Sequence, residues 1–165
     1  MRQAERDDRT KSADDRAKAV TVTQIDRAIR DAFILLEALD RRTLAGVATR
    51  LTTAQYHTLA ALAAVPTQSL GELAERRLCD KANVSGLVDK LVDAGLVHRA
   101  RDPADGRRIA LSLTGEGHRV LARATRARTD ALLRTLAPLE ASGLTSAGEH
   151  LARLVALLRA AVDEE

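Results

Sequence analysis

Two neighbouring stretches hold the residues whose types and spacing could do chemistry. The first is Lys81-Ala82-Asn83-Val84-Ser85-Gly86-Leu87-Val88-Asp89-Lys90-Leu91-Val92-Asp93. At about 100° per residue, Val84, Leu87, Val88 and Leu91 gather on one side of a helix, and Ala82, Gly86, Asp89 and Asp93 lie opposite. Asn83 and Lys90 flank one edge of that outer face, and Ser85 flanks the other. The N-terminal half of the face is small and uncharged, so another surface can come close to the backbone. Asn83 and Ser85 can donate and accept hydrogen bonds there. These are the groups that read base edges in a major groove, where asparagine suits adenine. Asp89 and Asp93 would repel a phosphate backbone, so such a helix enters with its N-terminal end. Gly86 in mid-helix costs about 1 kcal/mol against alanine. Close approach to DNA is one reason for it, and tight packing between helices is the other. Lys81 can meet a phosphate or stay solvated.

The second stretch, Asp102-Pro103-Ala104-Asp105-Gly106-Arg107-Arg108, joins two β-like segments, Leu96 to Arg99 and Ile109 to Leu113. Adjacent residues on an extended strand point to opposite faces. One of Arg107 and Arg108 is therefore placed to reach a minor groove or its phosphates, braced by Asp102 and Asp105 through charge pairing and turn hydrogen bonds. A solvated hairpin turn is the other reading. At the start of the preceding helix, Gln68, Ser69 and the backbone N–H groups could hold a phosphate, or Ser69 simply caps its own helix.

Other chemistries find little support. His57, His98, His118 and His150 fall on different elements without an i, i+4 pair, so no metal site is expected. There is no Gly-x-Ser-x-Gly and no glycine-rich phosphate loop, so we expect neither an enzyme nor a bound cofactor. The single cysteine, Cys79, excludes an internal disulfide and suits a reducing cytoplasm. We expect it to be a small buried thiol, with redox sensing as the alternative. One Phe, one Tyr and no Trp argue against single-strand binders that stack bases on aromatic rings. A net charge of +3 is compatible with nucleic acid but weak by itself. No run of about 18 apolar residues predicts a membrane span.

Residues 1–19, charged and poor in large apolar side chains, are expected to be a flexible tail, with an arm that touches DNA or a partner subunit as the alternative. Ile25, Ile29, Ala32, Phe33, Leu36 and Leu39 predict an amphipathic helix from Thr21 to about Val47, with Asp40 on its surface. Thr52 with Gln55, and Ser69 with Glu72, are capping boxes that open two further helices. Asp80 is expected to cap the candidate groove helix, which ends at Gly95 in a left-handed C′ position followed by Leu96. Thr114 opens a long helix to about Leu136, where Arg119, Arg123 and Arg126 make a solvated face or a second DNA surface. A last helix starts near Thr145, with Leu151, Leu154, Val155, Leu158 and Val162 on one stripe. The fold expected is mainly α: a winged helix-turn-helix with a two-stranded wing over 51–113, a helix over 20–50 and C-terminal helices over 114–165. The terminal helices have apolar faces that a second copy would cover.

The chain resembles the MarR family of bacterial transcriptional regulators over about residues 25–160. The resemblance rests on Leu70-Gly71-Glu72-Leu73-Ala74-Glu75-Arg76, Asn83 to Leu91, Gly95-Leu96-Val97, Asp102-Pro103-Ala104-Asp105-Gly106-Arg107 and Leu113-Thr114-Gly115-Glu116-Gly117. It implies a homodimer, built by the N- and C-terminal helices, on double-stranded pseudo-palindromic operator DNA. It also implies repression, release by a small aromatic or phenolic effector, and a cytoplasmic protein associated with the nucleoid when bound to DNA. Within it, Arg107 matches the family's wing arginine, while Ala104 departs from the arginine that many relatives carry at the wing tip. The expected DNA contacts are then Gln68, Ser69, Lys81, Ala82, Asn83, Ser85, Gly86, Lys90, Asp105, Arg107 and Arg108. Tyr56 and His57, with Phe33 across from them, could line an effector pocket or be plain core packing. A winged-helix module that binds protein instead of DNA is the competing class.

Overall fold

The computed structural model describes residues 2–47, 51–101 and 108–163, with side chains given for those from 18 to 162. The elements are α1 (Arg2–Ala45), α2 (Thr53–Ala64), α3 (Leu70–Arg76), α4 (Lys81–Asp93), β1 (Val97–Arg101), β2 (Ile109–Leu113), α5 (Gly115–Leu136) and α6 (Ala141–Asp163). The fold is mainly helical with one two-stranded antiparallel sheet, in which Val97 pairs with Leu113 and Arg101 with Ile109.

Local chemistry sets most of these boundaries. Both capping boxes form: the Thr52 and Ser69 hydroxyls accept from the Gln55 and Glu72 amides, and the Gln55 and Glu72 side chains accept from the cap amides in return. α4 ends in a Schellman motif. Gly95 takes φ +69°, its N–H donates to the Val92 carbonyl, and the Leu96 N–H donates to the Leu91 carbonyl. Thr114 closes the wing by donating its N–H to Leu96 and its hydroxyl to Gly95, while accepting from the Gly117 amide. A Cβ at Gly117 would collide with the Leu96 carbonyl, which is why the wing leads into α5 through a glycine.

Two ends differ from the sequence reading. Asp80 occupies the cap position of α4, yet its side chain makes no cap hydrogen bond. α3 closes with its own Schellman pair, Leu78 N–H to Glu75 and Cys79 N–H to Ala74. The left-handed residue there is Leu78, at φ +49°. A leucine in that conformation carries about 1–2 kcal/mol of strain, and no glycine marks the turn.

The core joins Leu44, Leu59, Leu62, Leu73, Val84, Val88, Leu91, Leu96, Leu111 and Val120. It lies almost wholly within α2 to β2, with the end of α1 and the start of α5 closing it. A backbone bridge between Gln68 and Leu111 ties the entry of α3 to β2.

The outer helices are longer than expected. α1 begins at Arg2, not Thr21, so residues 2–19 belong to a 44-residue helix and not to a tail. No glycine or proline occurs before Gly46, and ten of residues 2–19 are Ala, Arg or Lys, which are strong helix formers. α6 begins at Ala141, its first turn closed by the Leu144 N–H on the Glu140 carbonyl. Thr145 does not open it; its hydroxyl donates back to Ala141. Asp40 is not on the surface but 3% exposed. Among the described residues no helix is long and apolar enough to cross a membrane.

Candidate nucleic-acid interface

α4 divides its faces as its sequence spacing predicts. Val84, Val88 and Leu91 are fully buried and Leu87 is half-buried, while Lys81, Ala82, Asn83, Gly86, Asp89 and Lys90 are exposed and Ser85 is half-buried. A Cβ built on Gly86 meets no atom within 4 Å. Packing between helices of one protomer therefore does not explain this glycine, and its bare backbone faces open space.

The wing stands beside that face. Arg99 of β1 reaches Asp89 of α4, Nη2 to Oδ1 at 2.7 Å. One of the two acids that would repel phosphate is thus paired with a cation from the wing. Arg108, one residue before β2, places Nη2 2.9 Å from Oε1 of Glu72 on α3. Asp102, Ala104, Asp105 and Arg107 lie outside the described residues.

The N-terminus of α3 offers less than its sequence suggested. Gln68 is 3% exposed. Its Nε2 donates to the Ala61 carbonyl, and its backbone exchanges hydrogen bonds with Leu111. It is a strut beneath the wing, and a phosphate does not reach it. The Ser69 hydroxyl and N–H are both engaged with Glu72, so the self-capping reading holds. These bonds to Ser69, first its N–H and then its hydroxyl, hold the Glu72 carboxyl down at about 2, with Arg108 adding to the shift. Glu72 is ionised more readily in the fold than its ordinary value of 4.5 allows. Its contribution to stability is complete above that value and is lost only as pH falls towards 2.

Other candidates change role. Cys79 is exposed, not buried, and its thiol donates to the Arg77 carbonyl. Arg119 and Arg123 both pair with Glu116, at 2.8 and 3.2 Å, which supports the solvated-face reading of that part of α5. Among the described residues no three His, Cys, Asp or Glu side chains gather into a metal-ligand set.

Tyr56 and His57 do meet, ring edge to ring face, with centroids 5.2 Å apart. What joins them is a cluster the sequence reading missed. Arg128 of α5 donates from Nε to Asp40 of α1 at 2.7 Å and lies 6.0 Å from the Tyr56 ring centre. His57 Nε2 is 4.0 Å from the other Asp40 oxygen. Burial pushes the His57 imidazole below its ordinary value, against the pull of Asp40. Phe33 does not face them. It lies seven residues before Asp40, about 10 Å along the helix axis, and its side chain is 68% exposed.

A helix-turn-helix followed by a hairpin wing and flanked by long outer helices defines a winged-helix protein. A model described as the MarR family matches residues 51–108. The HTH-type transcriptional repressor NicR of Pseudomonas putida is 33% identical over 119 residues, covering 70% of this chain and 69% of NicR. The transcriptional regulator HosA of Escherichia coli is 38% identical over 74 residues, and that match spans 45% of this chain and 55% of HosA. A mutant of Escherichia coli MarR complexed with operator DNA shares the fold, with a TM-score of 0.68 at 21% identity over 78% of this chain and 91% of that one. The chain belongs to the MarR family of transcriptional regulators.

Proposed function

We propose that the protein regulates transcription as a homodimer on specific double-stranded DNA. One α4 per protomer enters the major groove, and the β1–β2 wing lies on the neighbouring backbone. The observation that carries this is the open, small, polar face of α4 around Gly86, set beside a wing that neutralises Asp89. Lys81, Ala82, Asn83, Ser85, Gly86 and Lys90 form the groove side, and Asp105, Arg107 and Arg108 the wing side. The operator complex of the related MarR fold supports the placement. Gly86→Ala is expected to raise stability by about 1 kcal/mol, since the added methyl meets nothing, and yet to weaken DNA binding by standing the helix off the bases. Thermal melting and anisotropy titration of one preparation read both signs.

The outer helices supply the dimer. No described residue of α6 is buried in the single protomer, and Ile25, Ile29, Phe33 and Leu36 on α1 are each at least 40% exposed. A 23-residue amphipathic helix with nothing to cover its stripe does not hold by itself in water. A second copy of α1, α5 and α6 is the partner these faces fit. Light scattering is expected to give a dimer. A footprint on the promoter beside its own gene is expected to show two protected patches about 10 bp apart, or a multiple of that.

Repression is the favoured direction, in line with the name of NicR. An effector would act where the outer helices meet the DNA-binding unit. Phe33 is remote from Tyr56 and His57, so the groove of about 610 Å³ between α1 and α5, lined by Leu39, Arg42, Thr43, Asp130, Ala131 and Arg134, is the better site. Its two arginines against one aspartate suit an aromatic acid. Release of the DNA complex by phenolic acids tests this, and no response across a broad panel overturns it.

A further inference from the structure

We propose that Glu72 is a positioning residue for DNA binding: it aims Arg108, and with it the base of the wing, at the phosphate backbone. The proposal rests on the DNA-binding reading above.

The Glu72 carboxylate does two things with two oxygens. Oε2 accepts the Ser69 N–H at 2.6 Å, and Oε1 accepts Arg108 Nη2 at 2.9 Å. A capping box needs only the first of these. The second bond reaches a residue 36 positions further along the chain, and both side chains are 49% exposed. Exposed ion pairs add little to stability, so the reason for this one lies in where it puts the guanidinium. The cap bond already fixes the carboxylate, so Arg108 meets a preset acceptor. A guanidinium is a planar fork of N–H donors. Holding one nitrogen fixes the plane in which the others point, and the side chain need not be ordered when DNA arrives.

The surroundings agree. On the buried side, the Gln68–Leu111 bridge ties the entry of α3 to β2. On the exposed side, Glu72–Arg108 ties α3 to the residue that leads into β2. Asp89–Arg99 does the equivalent between α4 and β1. Each helix of the helix-turn-helix thus holds one side of the wing by a carboxylate.

This arrangement makes a prediction opposite in sign to simple electrostatics. Removing a negative charge beside DNA should tighten binding, whereas removing a positioning group should weaken it. In Glu72→Gln the amide oxygen can still accept from Ser69, so the cap is weakened but kept, while the charge-assisted bond to Arg108 is lost. The test is an anisotropy titration of the full chain against a promoter duplex and a random duplex over a range of salt, with melting curves alongside. Glu72→Gln is expected to melt somewhat below the parent, because the charge on its cap is lost, and, at a temperature where both are folded, to bind both duplexes several-fold more weakly. Its log–log salt slope should be shallower by about one phosphate contact, close to 0.9. Arg108→Gln should lose the same amount, and the double variant no more than either alone. Arg108→Lys leaves the cap untouched and should also weaken both duplexes, which keeps the test decisive if Glu72→Gln melts early. Parent-like or tighter binding by Glu72→Gln or Arg108→Lys, or additive losses in the double variant, would overturn the positioning role alone. A parent protein that bound neither duplex would overturn the DNA-binding reading, and this proposal with it.

Discussion

Arg128→Ala is expected to lower the unfolding free energy by about 3–5 kcal/mol, seen as a shift of the urea midpoint without a change of slope. Asp40 is 3% exposed, and its Oδ1 takes the Arg128 Nε at 2.7 Å. The pair fastens α1 to α5, 88 residues apart in the chain. Truncating the arginine leaves a carboxylate in the interior without its cation, and that uncompensated charge, more than the lost bond, is the penalty. His57 does not replace it, because burial keeps the imidazole biased towards its neutral form. Arg128 retains 26% exposure, so water relieves part of the loss and the lower end of the range is favoured. The double replacement Asp40→Leu with Arg128→Met removes both charges and should come much closer to the parent. A change under about 1 kcal/mol for Arg128→Ala would mean that the pair behaves as a surface pair.

Asn83→Ala is expected to cost about 1–3 kcal/mol on the preferred operator, roughly 5- to 150-fold in affinity, and almost nothing on random DNA. Asn83 is exposed in the first turn of α4 beside Ala82 and Gly86, where the backbone can approach a base pair closely. A bidentate amide contact carries sequence information that a phosphate contact does not. The loss should therefore concentrate at one base position in each half-site and leave the salt slope unchanged. An equal loss on both duplexes would place Asn83 on the backbone instead.

These two predictions differ in how far the sequence alone leads to them. The face carrying Asn83 follows from helical periodicity within α4 and from caps closed within a few residues: Thr52 with Gln55, Ser69 with Glu72, and Gly95 after Asp93. Interactions that local look readily from spacing. The Asp40–Arg128 pair does not, because an aspartate on an amphipathic helix looks solvated until its partner arrives from α5. The second oxygen of Glu72 escapes for the same reason. Gln68 looks like a phosphate ligand until the bridge to Leu111 pulls it under the wing. Leu78 gives no warning of its left-handed backbone, since no glycine marks that turn. Cys79, the next residue, is exposed, and a lone thiol in a sequence carries no spacing signal for that. The start of α1 is a different case: its residues favour helix, but their charge and lack of large apolar side chains read as a tail.

The most direct test of α4 as the reading helix is a titration of the parent protein with a duplex bearing its footprinted site and with a scrambled duplex of equal length, repeated across salt concentrations. The account predicts a preference of about 10³-fold or more for the site, with affinity for both duplexes falling linearly on a log–log salt plot. Equal affinity for the two sequences, or no binding to either at low salt, would contradict it.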